Sequence, residues 1–118
     1  MRAAAALVLL VAAALLASCS EPIPPEKLGY AGEWRGESVL LVITLEGSVA
    51  YKRQDGKSSV SINAPIQRFE GNNFVVGVGP FNTTFVVSQP PHLVDGQYRM
   101  TVDGVELTRV HAFEGTQA

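Results

Sequence analysis

Five pairs of an acidic residue followed by glycine divide the chain between residues 45 and 105 into short segments. They are Glu46-Gly47, Asp55-Gly56, Glu70-Gly71, Asp95-Gly96 and Asp103-Gly104. Such pairs favour tight turns, because glycine, and to a lesser extent aspartate, accepts a positive φ. The segments between them are rich in Val, Ile, Thr, Phe and Tyr, which favour β-strands. This pattern restricts the chain to antiparallel strands joined by short connections.

The same segments give a strand prediction. After Lys27 no stretch has the sustained i, i+3, i+4, i+7 apolar spacing of a helix, so we expect little helix. A meander of seven to eight short strands predicts an all-β fold, either a small antiparallel barrel or a curled sandwich. The predicted strands are 34–45, 48–53, 58–63, 66–70, 73–78, 83–88, 97–102 and 105–110.

The N-terminus has the features of a secretory signal peptide. Arg2 precedes an unbroken apolar run of 15 residues, 3–17. As a helix this run would span roughly 22 Å, which is short of the ~30 Å hydrocarbon core of a bilayer. A positive start, a short apolar stretch and small residues at its end therefore predict a signal peptide over residues 1–18, removed from the mature protein.

Leu16-Ala17-Ser18-Cys19 resembles the lipobox of bacterial lipoproteins, and Cys19 is the only cysteine in the chain. The resemblance implies that the Cys19 thiol receives a diacylglyceryl group, that cleavage falls between Ser18 and Cys19, and that the new α-amine is acylated. Ser20, rather than Asp, follows the cysteine, as in lipoproteins passed on to the outer membrane. The implied location is the bacterial cell envelope, on the periplasmic side of the outer membrane, with the membrane as partner through the acyl chains on Cys19.

Charge and composition limit the partners of the remaining chain. Without Arg2 it has 8 basic and 11 acidic residues and no basic stripe, so we expect no nucleic-acid partner. Pro22, Pro24 and Pro25 favour an extended backbone, which predicts a tether. The predicted organisation is a signal peptide (1–18), lipidated Cys19 with a Pro-rich tether (19–30), a β domain (31–113) and a flexible tail (114–118).

A second resemblance concerns the first and last strands. Gly32-Glu33-Trp34 opens the first, and Arg109 lies in the last, on the face that it shares with Leu107. Lipocalins carry Gly-x-Trp in their first strand and an Arg that packs across it from their last strand. The resemblance implies that Trp34 and Arg109 close the barrel structurally, with Arg109 over the face of Trp34.

Some predicted strands are apolar on both faces, notably 39–43, 74–76 and 85–87. In a lone barrel the outward side chains of these strands would meet water. We expect them to form an interaction surface covered by a partner, a second copy or the membrane. The alternative is that the domain's own loops or N-terminal segment cover them. The residues of this predicted surface are Leu40, Val42, Val75 and Val86.

No constellation in the sequence indicates catalysis. His92 is predicted in an exposed Pro90-Pro91-His92 loop and His111 after the last strand, whereas a metal site needs three or four converging ligands. Ser58, Ser59 and Ser61 have no evident base beside them. Gly77-Val78-Gly79-Pro80 leads into another strand, so it predicts a hairpin connection rather than a phosphate loop. We therefore expect no catalytic residue, metal or cofactor.

Two functions follow as hypotheses. The first is a lipid-anchored, non-enzymatic interaction or structural module that meets an envelope protein or a second copy of itself at the membrane surface. The second is a small lipocalin-like carrier of an apolar ligand or lipid. A barrel of about eight strands has room inside for side chains or for one small ligand.

Overall fold

The computed structural model describes residues 21–113. These form one short 3₁₀ helix, η1 (Pro25–Tyr30), followed by nine antiparallel strands. The all-β prediction is confirmed, with one or two strands more than expected. The strands are β1 (Gly32–Gly36), β2 (Val39–Ile43), β3 (Ser48–Asp55), β4 (Ser58–Glu70), β5 (Asn73–Val78), β6 (Phe81–Phe85), β7 (Val87–Val94), β8 (Gln97–Val102) and β9 (Val105–His111).

The nine strands form one curled sheet with the order β6-β5-β4-β3-β2-β1-β9-β8-β7. The first and last strands, β1 and β9, therefore pair in its interior, and β6 and β7 are its edges. Each of the five acidic–glycine pairs lies at a connection between strands. At two of these, Asp95-Gly96 and Asp103-Gly104, both residues have positive φ, as a two-residue hairpin turn requires.

Two corners give the sheet its curl. β4 pairs with β3 through Pro65 and with β5 from Ile66 onward, with a register shift between Ile66 and Arg68. A single residue, Val86, separates the two edge strands β6 and β7. Its backbone N–H donates to Asp103 Oδ1, and its carbonyl accepts from the Asp103 N–H, both at 2.8 Å. The edges of the sheet therefore meet at this second corner, and the result is a half-barrel.

Large side chains fill the interior of the half-barrel. Phe74 and Phe85 stack with ring centroids 5.0 Å apart, and Tyr51 meets Phe85 edge-on at 4.9 Å. The Trp34 indole is fully buried, and its Nε1 donates to the Tyr30 carbonyl at 2.9 Å. Other fully buried members of this core are Leu41, Ile43, Val76, Met100 and Leu107.

The segment predicted as an extended tether is packed against the domain from residue 23 onward. Ile23 is buried in the core cluster, and its N–H donates to the Leu45 carbonyl at 3.1 Å. Pro24 is extended, but Pro25 begins η1, because proline is tolerated at the first position of a helix. Tyr30 then caps the core and donates from its hydroxyl to the Asn72 carbonyl at 2.8 Å. Pro25 and Glu26, which the prolines led us to expect as extended backbone, are helical instead.

Several strand boundaries differ from the prediction for local reasons. The predicted strand 34–45 is two strands, because Glu37-Ser38 makes a turn without glycine, with Ser38 at φ 60°. The predicted strands 58–63 and 66–70 are one bent strand, β4. The predicted strand 83–88 is split by Val86, and the predicted 90–92 loop belongs to β7. Pro90 and Pro91 are accommodated there because β7 is an edge strand and its pairing with β8 skips both residues, passing from Gln89 to His92 with a register shift.

Within residues 21–113, none of the helical structure has the length and apolar character needed to span a bilayer.

Candidate functional site

Ser18 and Cys19, the predicted cleavage and lipidation residues, lie outside the described residues, as does the predicted tail 114–118. The described chain begins at Glu21, two residues after Cys19. The Glu21 carbonyl lies against Gly47 in the turn between β2 and β3, so closely that a Cβ on Gly47 would clash with it. The first described residue is therefore held against the β2–β3 turn.

Trp34 and Arg109 are direct cross-strand partners on β1 and β9. The Arg109 guanidinium, however, lies over the Tyr98 ring, with Cζ 4.7 Å from the ring centroid, and not over Trp34 as expected. Gly32 explains the difference, because a Cβ there would lie 2.8 Å from Arg109 Cδ. The arginine stem occupies this space and reaches Tyr98, while the buried indole of Trp34 is directed at Tyr30. Both residues serve packing between strands.

The four residues of the predicted interaction surface do not form one exposed patch. Val75 is fully buried within the domain, as the alternative that the domain covers its own outward side chains requires, so it offers no surface to a partner. β5 lies between β4 and β6, which places Arg68 and Thr84 beside Val75 in register. Val86 is 51% exposed at the corner between β6 and β7. Only Val86 of the four is an exposed apolar residue.

Leu40 and Val42 are half-buried on β2. Leu40 is paired with Arg35 on one side and Lys52 on the other, and Val42 is paired with Glu33. Long charged side chains cover neighbouring apolar surface with their aliphatic stems. The polar side chains of the domain therefore flank this part of the predicted surface.

Among the large hydrophobic residues of the described chain, 21–113, the two most exposed lie at the tip of the β5–β6 hairpin. We call this segment, Val78–Phe81, the apolar tip. Val78 is 67% exposed and Phe81 is 82% exposed. They are direct cross-strand partners, so their side chains lie on the same face of the hairpin. Sequence analysis predicted the hairpin here but not the exposure of these two residues.

Glycines give the apolar tip its shape. Gly77 has φ 152°, and a Cβ there would clash with the Phe81 carbonyl and lie 2.6 Å from Asn82 Cα. Gly79 has φ 57° with open space around it, and its carbonyl accepts a hydrogen bond from Gln67 Nε2 at 3.0 Å. The two strands of the hairpin thus approach closely, and the tip is fastened to the bend of β4.

The tip belongs to a long stretch without charged residues. Residues 71–94 contain no Asp, Glu, Lys or Arg, although the rest of the sequence contains 20 such residues. This stretch forms β5, β6 and β7. It contains four of the six large hydrophobic residues that are exposed within residues 21–113, namely Val78, Phe81, Val86 and Leu93. The absence of charge is the sequence signal that could have located the exposed apolar surface.

The surface of strands β1–β3, β8 and β9 differs from that of residues 71–94, because it carries charged side chains. Glu33 and Arg35 on β1 form an ion pair at 2.9 Å, and Arg99 on β8 pairs with Glu106 on β9 at 3.3 Å. A depression of about 320 Å³ beside β1–β3 is lined by Arg35, Lys52 and Arg53 among others. A hydrogen bond with Tyr51 and the nearby Asp55 carboxylate raise the pKa of Arg53. These charges are largely balanced within the surface.

The histidines and serines considered for catalysis are not brought together. His92 is half-buried on β7, with Nδ1 2.8 Å from the Pro90 carbonyl, and His111 is exposed at the end of β9. Ser58, Ser59 and Ser61 are exposed on β4. No group of three or more His, Cys, Asp or Glu side chains suited to a metal ion occurs in the described part of the chain, 21–113.

Comparisons with protein-family models, with curated proteins and with solved structures find no match to this chain.

Proposed function

We propose that this protein is a bacterial lipoprotein, anchored in the cell envelope by acyl groups on Cys19, whose β domain is a non-enzymatic interaction or structural module. The proposed location is the periplasmic side of the outer membrane. The observation that carries the proposal is Leu16-Ala17-Ser18-Cys19, which lies at the end of an apolar run too short to span a bilayer.

The attachment of the first described residues to the β domain supports this assignment. Ile23 is buried, and its N–H bonds to the Leu45 carbonyl, so the domain begins only a few residues after Cys19. Acyl groups on Cys19 would therefore hold the domain directly at the membrane surface. Because there is no polybasic segment to assist, stable attachment requires two or three acyl chains.

The anchor is tested by expressing the full chain with Cys19→Ala in a bacterium and fractionating the cells. We expect the parent protein in the membrane fraction, carrying metabolically incorporated palmitate and lacking residues 1–18, and we expect no palmitate on the variant. Ser20→Ala is the matched control, because it alters the neighbouring residue and leaves the thiol in place. A Cys19→Ala protein that still incorporates palmitate would contradict the proposal.

The interior of the domain favours a module over a carrier. Trp34, Phe74, Phe85 and Met100 are all fully buried in the place where a carrier would hold its ligand. Native mass spectrometry of protein extracted from membranes separates the two functions. We expect one species per chain, with the mass of the protein and its covalent acyl groups. A further stoichiometric lipid would favour the carrier and contradict the module.

A further inference from the structure

We propose that the apolar tip of the β5–β6 hairpin is a second membrane-contact site, in which Val78 and Phe81 enter the same leaflet as the acyl groups on Cys19. The inference rests on the proposed lipid anchor and adds an orientation to it. A single attachment point holds a domain near a bilayer but does not determine which face of the domain meets it. A second, apolar contact determines which face of the domain meets the bilayer.

The position of Glu21 places the anchor beside the apolar tip. Glu21 and Gln67 line one depression at the bend of β4. The Gln67 side chain donates to the Gly79 carbonyl in the tip at 3.0 Å. Cys19 precedes Glu21 by two residues, which span at most about 7 Å of extended chain. Acyl groups on Cys19 would therefore enter a membrane on the side of the domain from which the tip projects.

The surface chemistry of the tip suits entry into a bilayer. Val78 and Phe81 are side by side and mostly exposed, whereas most apolar side chains of similar size are in the core. No charged residue lies between 71 and 94, so insertion of the tip removes no charge from water. The next residues of β6, Asn82-Thr83-Thr84, are exposed, polar and uncharged, which suits the headgroup region.

A bilayer is favoured over a protein strand as the occupant of this site. The β6 edge is unpaired among the described strands and could accept a further strand. Strand addition, however, uses backbone groups along the edge, and the apolar area here is concentrated at the tip. The anchor also holds lipid next to the tip at a high effective concentration, which a separate protein would not have.

Fluorescence of a tryptophan at the tip tests the proposal. The chain has one tryptophan, Trp34, which is fully buried, so the parent protein gives the background. Lipidated parent, Phe81→Trp and Val110→Trp proteins are reconstituted into phosphatidylethanolamine–phosphatidylglycerol vesicles with and without bromine on the acyl chains. Val110 is the matched control, because it is 52% exposed and lies on β9. Flotation of the vesicles shows separately whether the protein is bound to them through its acyl groups.

If the tip enters the bilayer, Phe81→Trp loses about half or more of its added emission in brominated vesicles, since contacts of this kind lie roughly 5–10 Å into the headgroup–acyl boundary. Val110→Trp keeps its emission. Protein that floats while Phe81→Trp is unquenched overturns the tip contact and leaves the anchor standing. Blue-shifted but unquenched emission means that a protein or a second copy covers the tip, which also overturns it. Failure to float overturns the anchor and the tip contact together.

Discussion

Phe85 and Phe81 are the same residue type, four positions apart on one strand, yet they have opposite environments. Phe85, at the base of the β5–β6 hairpin, is 1% exposed and stacks on Phe74. Phe81, at the tip, is 82% exposed and is paired with the exposed Val78. The base of the hairpin is part of the core, and its tip extends beyond it. One hairpin thus contributes to stability at one end and offers an apolar surface at the other.

The comparison shows that side-chain type does not distinguish core from contact surface in this chain. Val75-Val76 near the base and Val78 at the tip are equally apolar, but only Val78 is exposed. The two regions differ because the base of the β5–β6 hairpin packs into the interior of the half-barrel and the tip extends beyond it. The position of the hairpin depends on the corners at Ile66 and Val86. We expect substitutions at the base to change stability and those at the tip to change membrane contact.

The largest effect is expected from Phe85→Ala. The ring lies within 5.0 Å, centroid to centroid, of both Phe74 and Tyr51, and its removal leaves a cavity in the core. Truncation of a buried phenylalanine lowers the free energy of unfolding by about 3–5 kcal/mol. Urea denaturation, monitored by circular dichroism, measures this change in the free energy of unfolding. A loss below about 1 kcal/mol, the range of ordinary surface changes, would place Phe85 outside the core and remove the basis of the comparison.

Gly77→Ala is expected to cause the next largest loss of stability. Gly77 lies between the base and the tip of the β5–β6 hairpin. Its φ of 152° disfavours alanine, and the new Cβ would clash with the Phe81 carbonyl. The backbone conformation alone costs about 1–3 kcal/mol. The loss of stability should be accompanied by altered amide chemical shifts across the tip. Gly56→Ala is the control, because Gly56 also has positive φ but has open space around it. Equal losses in both variants would show that the close approach of β5 and β6 is unimportant.

Tyr30→Phe has a smaller expected effect, which depends on pH. It removes the hydroxyl that donates to the Asn72 carbonyl, and such a bond contributes about 0.5–1.5 kcal/mol to stability. Burial raises the pKa of Tyr30 above its ordinary value of 10.0. Because the folded state favours the neutral phenol, its contribution is complete below pH 10 and is lost as the pH rises through the raised pKa.

Thermal unfolding of the parent and Tyr30→Phe proteins at pH 8 and above pH 10 checks this. The difference between the two proteins should shrink at the higher pH. A difference that stays constant across this range would mean that the hydroxyl does not need its proton to fasten η1 to the turn between β4 and β5.

Phe81→Ala is expected to have the smallest effect on stability, within about 0.5 kcal/mol, because a mostly exposed side chain away from the core contributes little to folding. In a domain of this size such a change moves the melting temperature by only a few degrees. Together with Phe85→Ala it forms a matched pair on one strand. A fall in stability comparable to that of Phe85→Ala would show that the tip is folded back onto the domain, and the difference between the two ends would disappear.

The sequence predicted those parts of the fold that local residue chemistry determines. The turns at the acidic–glycine pairs and the β-rich segments between them both follow from patterns in a few residues. The turn at Glu37-Ser38 lacks such a pattern, since serine at positive φ leaves no signature. The sequence predicted a loop at Pro90 and Pro91, because prolines disfavour a strand unless it lies at the edge of a sheet. Whether a strand lies at the edge depends on the whole sheet and cannot be seen in the local sequence.

The candidate contact surface was harder to predict for the same reason. Alternation along a strand suggests which side chains share a face, but whether that face is covered depends on distant strands. Val75 is covered although its alternation suggested exposure, and Phe81 is exposed although an aromatic residue in a strand usually indicates core. Likewise, Ile23 is buried in the core, although the prolines on either side of it suggested a tether that does not pack against the domain.

The central claim is that acylated Cys19 and the apolar tip meet the same membrane, and a single new cysteine tests it most directly. Because Cys19 is the only cysteine, a lipidated parent protein should not react with a water-soluble maleimide. In intact vesicles, Phe81→Cys should then be protected from this reagent and Val110→Cys should react readily, while both react once detergent has dissolved the bilayer. Equally rapid labelling of both positions in intact vesicles would contradict the account.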